Sequence, residues 1–343
     1  MTGIRWAYAL NQWDTNIDAF VRKRDHERAF KTISISGFSG VEFTAVSFGP
    51  WEPFGSPDEI ANLYGSIEGL RSFLAECALE AVSSYVYDPF VGFDVEMGRG
   101  PDPLDPDALE RIAGTAVWFA DAVRRLGGDT LVVRPVGSAW QTGELSGEQI
   151  RTLAALWNEV GRRIAEHDVR LALHVDFLSA LRLGDGIDRL LAATDPTFVG
   201  LALDTAELAI AGIEPVEFFR RHADRIRHIQ LKNARDTVDD AEALTPHAEQ
   251  FVRTEGGARG IARWFFEPTD EGGLVDFESF ARAVADSDYS GWIVVESDQS
   301  PHPAESAMVS GWYVQKVLRP IVEGPATQSA LPDEGLRPVG MTR

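Results

Sequence analysis

Short apolar runs alternate with longer amphipathic stretches eight times along the chain. The runs lie at 5–11 (RWAYALN), 40–45 (GVEFTA), 81–87 (AVSSYVY), 129–134 (DTLVVR), 169–175, 198–204, 226–232 and 290–296. Their length and their content of β-branched and aromatic residues predict buried parallel strands. The stretches between them, for example 58–78, 105–126, 147–167 and 276–287, carry a helical pattern. Asp105-Pro106 and Ser146 are predicted helix starts, since proline is tolerated in the first turn and a serine side chain caps free backbone N–H groups. Eight strand–helix pairs in order predict an α/β fold, a single-domain (β/α)8 TIM barrel over residues 1–319 with long βα loops. A doubly wound sheet needs fewer strands and usually a Gly-rich phosphate turn after the first. The first run is followed by no such turn.

Three irregular stretches fall where βα loops belong: 46–57, 88–104 and 233–275. Loops of this length in a compact domain predict lids or partner surfaces. Residues 320–343 are rich in Pro, Gly and small polar residues and read as an extended tail, poorly ordered or partner-docking. With 343 residues, 44% of them hydrophobic, the chain can bury a large core. Its 32 basic against 53 acidic side chains give a net charge of −21, which argues against nucleic acid and anionic lipid as partners. The single Cys77 reads as a small core residue, allows no internal disulfide or thiolate metal cluster, and suits a reducing compartment. The first residues lack a signal-type apolar region and no run approaches membrane length, so a soluble cytoplasmic protein is expected.

Candidate chemistry sits at the ends of the last four runs. LALHVDF (171–177), VGLALDTAEL (199–208), IRHIQLKNARD (226–236) and GWIVVESDQS (291–300) are each capped by a polar group. In a parallel barrel, His174, Asp204, Gln230 and Glu296 converge on one mouth. One imidazole, two carboxylates and an amide oxygen suit Mn²⁺ best, with Mg²⁺ or Fe²⁺ as alternatives. A single strand-end polar residue is more often a cap or salt-bridge partner, and a polar mouth without metal is the plain alternative. Asp176, Lys232 and Asp298 lie two residues beyond three of these caps, where period-two alternation points them to the same side. They can anchor substrate hydroxyls or hold the His174 tautomer, or form an ordinary salt-bridge network. Glu207, one turn past Asp204, is a further base, while His228 and Glu42 point inward and Arg134 can balance the acidic mouth. Catalytic roles are thus expected among His174, Glu207, Glu296 and Lys232. Trp13, Phe48, Trp51, Phe54, Tyr85, Tyr87, Phe90, Phe93, Trp140 and Phe177 fall at or beyond strand ends. As a set they predict a wide mouth with an apolar wall, although any one can be a core plug. The predicted substrate contacts are Trp51, Tyr85, Trp140, Arg134, Asp176 and Asp298.

Over roughly residues 5–318 the chain resembles the xylose isomerase-like barrel superfamily, which includes sugar-phosphate isomerases and epimerases, inosose dehydratases and endonuclease four. GFSGVEF (37–43), LALDTAEL (201–208), IRHIQLKNARD and GLVDFESFARAVADSDYSGWIVVESDQSP (273–301) carry the resemblance. It implies a Mn²⁺-type ion held by Glu, Asp, His and Glu at the ends of strands five to eight. This chain keeps Asp204 and Glu296 but has His174 at the first position and Gln230 at the third. The two glutamates serve ordinary isomerases as paired bases, so the His puts two-base epimerisation in doubt. YALNQW, the KTIS-x-x-GF-x-GVE run and WEP-x-G resemble the large subunit of bacterial C-glycoside deglycosidases, which works with a small β-rich partner.

That resemblance implies carbon–carbon cleavage of 3-oxo-C-glycosides. A C–C glycosidic bond cannot be opened by protonating a glycosidic oxygen, so the usual paired-carboxylate scheme fails. A C3 ketone makes the C2 proton acidic, and a metal on the carbonyl oxygen favours its removal and expulsion of the aglycone. The alternative is an isomerase, epimerase or inosose-type dehydratase acting on a small free sugar. A second alternative is a non-catalytic sugar-binding scaffold that self-associates or serves a partner subunit.

Overall fold

The computed structural model describes residues 3–11, 13, 19–44, 56–90, 100–246, 267–268, 272–297, 300 and 302–324. Eight strands are parallel and close on themselves in chain order. They are β1 (Ile4–Ala9), β2 (Gly40–Thr44), β3 (Ala81–Tyr87), β4 (Thr130–Val133), β5 (Arg170–His174), β6 (Val199–Asp204), β7 (Ile226–Leu231) and β8 (Gly291–Val295). Closure is made by β1 against β8, from Ile4↔Gly291 to Tyr8↔Val295. Helices follow the strands, among them Ala19–Ile35, Leu109–Arg125, Gly147–Ala165 and Phe277–Ala285. The expected (β/α)8 barrel is the observed fold.

Strand alternation separates small residues from large ones. Ala7, Ala9, Ala81, Trp292 and Val294 form one interior cluster, and Val132, Ala172 and Ala202 a second. The residues between them point the other way: Trp6, Tyr8, Phe43, Tyr85 and Tyr87 join Phe30, Phe119 and Trp157 in the main core between barrel and helices. Tyr85 is therefore a correction to the sequence reading. It packs on Phe43 and Phe119 at ring distances of 5.4 and 5.1 Å, under the helices and away from the mouth. Tyr87 also packs on Phe119. The neighbour Ser84 takes the interior side and donates to Glu42, so alternation forces Tyr85 outward.

Helix starts obey local chemistry. Ser146 forms a capping box with Gln149, and Asp105 caps the short turn at Pro106–Ala108 that leads into Leu109–Arg125. The predicted helix at 58–78 is instead two, Pro57–Tyr64 and Ile67–Glu76. Gly65 takes a left-handed φ of 82° that ends the first, and Ser66 caps the second. Cys77 is a buried free thiol at the end of the second helix.

The long connection after β7 is tied at its base. Asn233 Oδ1 accepts from the backbone N–H groups of Ala234 and Val275, and Leu274 donates to the Ala234 carbonyl. Arg182, almost fully buried, donates to the carbonyls of Phe177 and Val238 at 2.6 Å each and pairs with Asp240 at 3.1 Å. Most of the predicted loops at 46–57 and 88–104 lie outside the described residues, as do Phe48, Trp51, Phe54, Phe93, Asp298 and the tail from 325. Among the described residues no helix is long and apolar enough to cross a membrane.

Inside the barrel, a Cβ at Gly40 would lie 2.7 Å from the Trp292 ring and 3.2 Å from the Ala81 carbonyl. Gly40→Ala is expected to lower stability by about 1–3 kcal/mol, the usual penalty for overpacking. Urea unfolding followed by tryptophan fluorescence checks it. An unchanged midpoint would show that Trp292 moves aside at little cost.

Candidate active site

The ends of β5, β6, β7 and β8 deliver their polar residues to one mouth. Asp204 closes β6 and caps the helix Thr205–Ile210: its Oδ1 accepts from the N–H groups of Ala206 and Glu207. This cap turns Glu207 back toward β5, where its Oε2 accepts from the Phe177 N–H at 2.9 Å. The other Asp204 oxygen, Oδ2, lies 3.6 Å from His174 Nε2. Donor atoms of His174, Asp204 and Glu207 all fall within 4.8 Å of one another.

Lys232 enters from just beyond β7. The Thr205 hydroxyl holds its backbone on both sides, donating to the Lys232 carbonyl and accepting from its N–H. Its ammonium sits 3.0 Å from Asp204 Oδ2, 3.4 Å from Glu296 Oε1 and 3.6 Å from Glu207 Oε1. The four side chains are buried. Asn11 donates to Glu296 Oε1 from beyond the end of β1.

These neighbours set the proton affinities. Burial alone would raise the Asp204 carboxyl, but Lys232 and His174 overcome it and hold the pKa at about 2. Burial pushes Glu207 up to about 7, with Asp204 adding to the shift and Lys232 opposing it. At His174 burial disfavours the charged ring, yet the contact with Asp204 prevails and its pKa lies above the ordinary histidine value. Two carboxyls three positions apart in contact with one ammonium are thus driven in opposite directions, the arrangement that distinguishes a proton-transfer group from a fixed charge.

Gln230, at the expected ligand position, is anchored from across the barrel. It donates through Nε2 to Glu42 Oε1 at 2.6 Å instead of lying free beside Asp204. Its Oε1 is buried and meets no donor among the described residues. Glu296 reaches the cluster through Lys232. Among His, Cys, Asp and Glu side chains of the described residues, those brought together directly are His174, Asp204 and Glu207, so that Glu207 is added to the expected set. A mixed imidazole–carboxylate group with a buried acceptor amide nearby fits a hard or borderline divalent cation. His174, Asp204 and Glu207 are the residues that would hold it.

A second polar group faces the cluster across the mouth. Arg134, just beyond β4, donates from Nε to Asp176 Oδ2 at 2.8 Å and from Nη2 to the Ser138 hydroxyl, with Nη1 3.6 Å from Asp88 Oδ2. Burial pushes the Asp88 carboxyl up against the opposing pull of Arg134. Asp176 also accepts from the Leu178 N–H. Arg134 and Asp176, predicted as substrate contacts, are thus partners of one another. Trp140 lies half-buried on the short helix Ala139–Thr142 that follows β4. Phe90 stands 5.7 Å from the Arg134 guanidinium. Phe177 is buried in a satellite cluster with Leu178, Ile210 and Val238, and Trp13 packs edge-on against Tyr8. Sequence reasoning missed Asn11, Asp88 and Ser84. Asn11 and Asp88 carried a signal, being polar residues directly after or near strand ends.

With this geometry established, the comparisons with known proteins fall into place. The chain belongs to the xylose isomerase-like TIM barrel family, whose profile matches residues 30–312. An inosose dehydratase from Bacillus velezensis is 29% identical over 224 residues, covering 62% of this chain and 72% of that protein. Another from Lacticaseibacillus casei is 32% identical over 169 residues, covering 48% of this chain and 54% of that one. The structure of an L-ribulose 3-epimerase superposes with a TM-score of 0.65 at 16% identity, covering 96% and 99% of the two chains. A D-allulose 3-epimerase from Methylomonas sp., in complex with D-allulose, gives 0.62 at 14% identity, covering 92% and 98%. At such identities the structural likeness is one of fold.

Lys232→Met should lower the stability of the chelator-treated protein by about 3–5 kcal/mol, because it leaves buried carboxylates without their counter-charge. Adding Mn²⁺ should recover much of that loss. Thermal melts with and without metal test both parts, and a variant as stable as the parent would show that the carboxylates are neutralised some other way.

Proposed function

We propose that this chain is a divalent-metal-dependent enzyme acting on a keto-polyol, with dehydration of a cyclic ketone of the inosose type as its reaction. The observation that carries the reading is the buried cluster at the mouth, where donor atoms of His174, Asp204 and Glu207 lie within 4.8 Å of one another and the Lys232 ammonium sits 3.0 Å from Asp204 and 3.6 Å from Glu207. The dehydratase names of the sequence relatives support the class of reaction. Carbon–carbon cleavage, the main expectation from the sequence, has less support than this alternative.

Held by His174, Asp204 and Glu207, a divalent ion would supply Lewis-acid polarisation of a ketone oxygen and so acidify the adjacent C–H. Glu207 is the carboxylate placed to accept that proton. The C–H electron pair becomes a new C=C bond as the β C–O bond breaks. Lys232 protonates the departing hydroxide, so water leaves and an enone remains. Such an elimination needs one base and one acid. It does not need the two opposed bases of an epimerase, which suits a site with histidine at the end of β5. Arg134, held by Asp88 and Asp176, offers a fixed positive edge for substrate hydroxyls.

The test uses the full chain loaded with Mn²⁺ and two substrates: an inosose, and a 3-oxo-glucoside carrying a carbon-linked aryl group, each with and without a small β-rich partner protein. Conversion of the inosose to a conjugated ketone, followed by ultraviolet absorbance and slowed by deuterium at the α carbon, is the expected result. Glu207→Gln should cut kcat by about 10²–10⁴, the usual worth of a general base. Cleavage of the carbon glycoside with no action on the inosose would instead restore the carbon–carbon lyase reading. Free ketose interconversion alone would make the protein an isomerase.

A further inference from the structure

Glu42 lies on β2 and Gln230 on β7, with β1 and β8 between them in the closed barrel. Their contact must therefore cross the barrel interior. Glu42 accepts three hydrogen bonds there: Oε1 from Gln230 Nε2 at 2.6 Å, and Oε2 from the Ser84 hydroxyl at 2.6 Å and His228 Nε2 at 2.7 Å. Glu42 and His228 are each about 1% exposed in their side chains. A carboxylate offers acceptors only, so it decides which end of the Gln230 amide faces it. The NH₂ group turns to Glu42 and the carbonyl oxygen turns away. That oxygen is buried and meets no donor among the described residues. Gln230 also stands in register with Asp204 on the adjacent strand, at the level of the cluster. A buried acceptor without a donor is costly unless something positive meets it.

We infer that Glu42 is a positioning residue: it locks the amide of Gln230 so that its carbonyl oxygen serves as a neutral donor to a divalent cation held with Asp204. Ser84 and His228 hold the other Glu42 oxygen and keep the carboxylate oriented. The inference rests on the metal-dependent reading of the site but concerns a residue far from the cluster in sequence. It also explains how a glutamine can stand at a ligand position without ambiguity between its oxygen and nitrogen.

Titration calorimetry with Mn²⁺ alone, on the full chain, tests this. Glu42→Gln can donate as well as accept, so it frees the Gln230 amide to flip, and the affinity should fall about 10–100-fold, as for other residues that orient ligands. Adding Gln230→Glu in the same chain should restore it, since position 230 then presents oxygen in either orientation and accepts from the new amide at 42. Restoration is a response that general loosening of the barrel would not give. The Mn²⁺ electron paramagnetic resonance spectrum should broaden or shift in Glu42→Gln and recover in the double variant. Should Glu42→Gln not fold, Glu42→Asp, one methylene short of Gln230, is expected to lose affinity severalfold. Wild-type affinity in Glu42→Gln, or no recovery in the double variant, overturns the positioning role while leaving the metal reading intact. A parent protein that binds no Mn²⁺ overturns both.

Discussion

Three carboxyls and one ammonium share the mouth of this barrel almost out of reach of water, and the remaining features of the site follow from how that charge is balanced. Unit charges about 4 Å apart interact by roughly 4 kcal/mol at an effective dielectric of 20. Carboxylates packed this closely oppose one another's ionisation. Lys232 supplies one positive charge at 3.0–3.6 Å from each, and burial, with Asp204 adding to it, still keeps the pKa of Glu207 high. A divalent cation would supply two charges where the lysine supplies one. The arrival of metal and the release of a proton from Glu207 are then linked by simple electrostatics.

The barrel interior has room for this because of the alternation along each strand. Small residues such as Ala7, Ala172 and Ala202 face inward while tryptophan, tyrosine and phenylalanine face the helices. Space inside is partly filled by Trp292 and partly by the Glu42–Ser84–His228–Gln230 group. A polar group so deep is tolerable because nearly every one of its donors and acceptors finds a partner. The exceptions, the Gln230 oxygen and His228 Nδ1, mark where ligand chemistry or strain is concentrated.

Much of this was legible in the chain itself. Eight apolar runs placed all eight strands to within about two residues, because parallel strands buried on both faces leave a continuous apolar signature. His174, Asp204 and Lys232 could be singled out because register turns spacing into proximity at one mouth. Other features could not be read. Tyr85 looked like part of an apolar wall because its phase on β3 depends on a register shift, between Val41 and Glu42, that pattern alone does not reveal. That a carboxylate across the barrel holds the Gln230 amide could not be foreseen, because Glu42 is 188 positions away. The break at Gly65 hid within a continuous helical pattern, since one glycine weakens a helix without specifying that it ends there.

The clip at Asn233 separates the evolution of the long segment after β7 from that of the barrel. Its two ends are pinned within a few residues, by the Asn233 side chain and the Ala234–Leu274 backbone bond. What lies between can therefore lengthen or shorten at a cost of only about 0.6 kcal/mol per doubling. A lineage can change the length of this insert while Asp204 and Lys232 stay where they are. Loop length and site chemistry would then be inherited as separate modules of one chain.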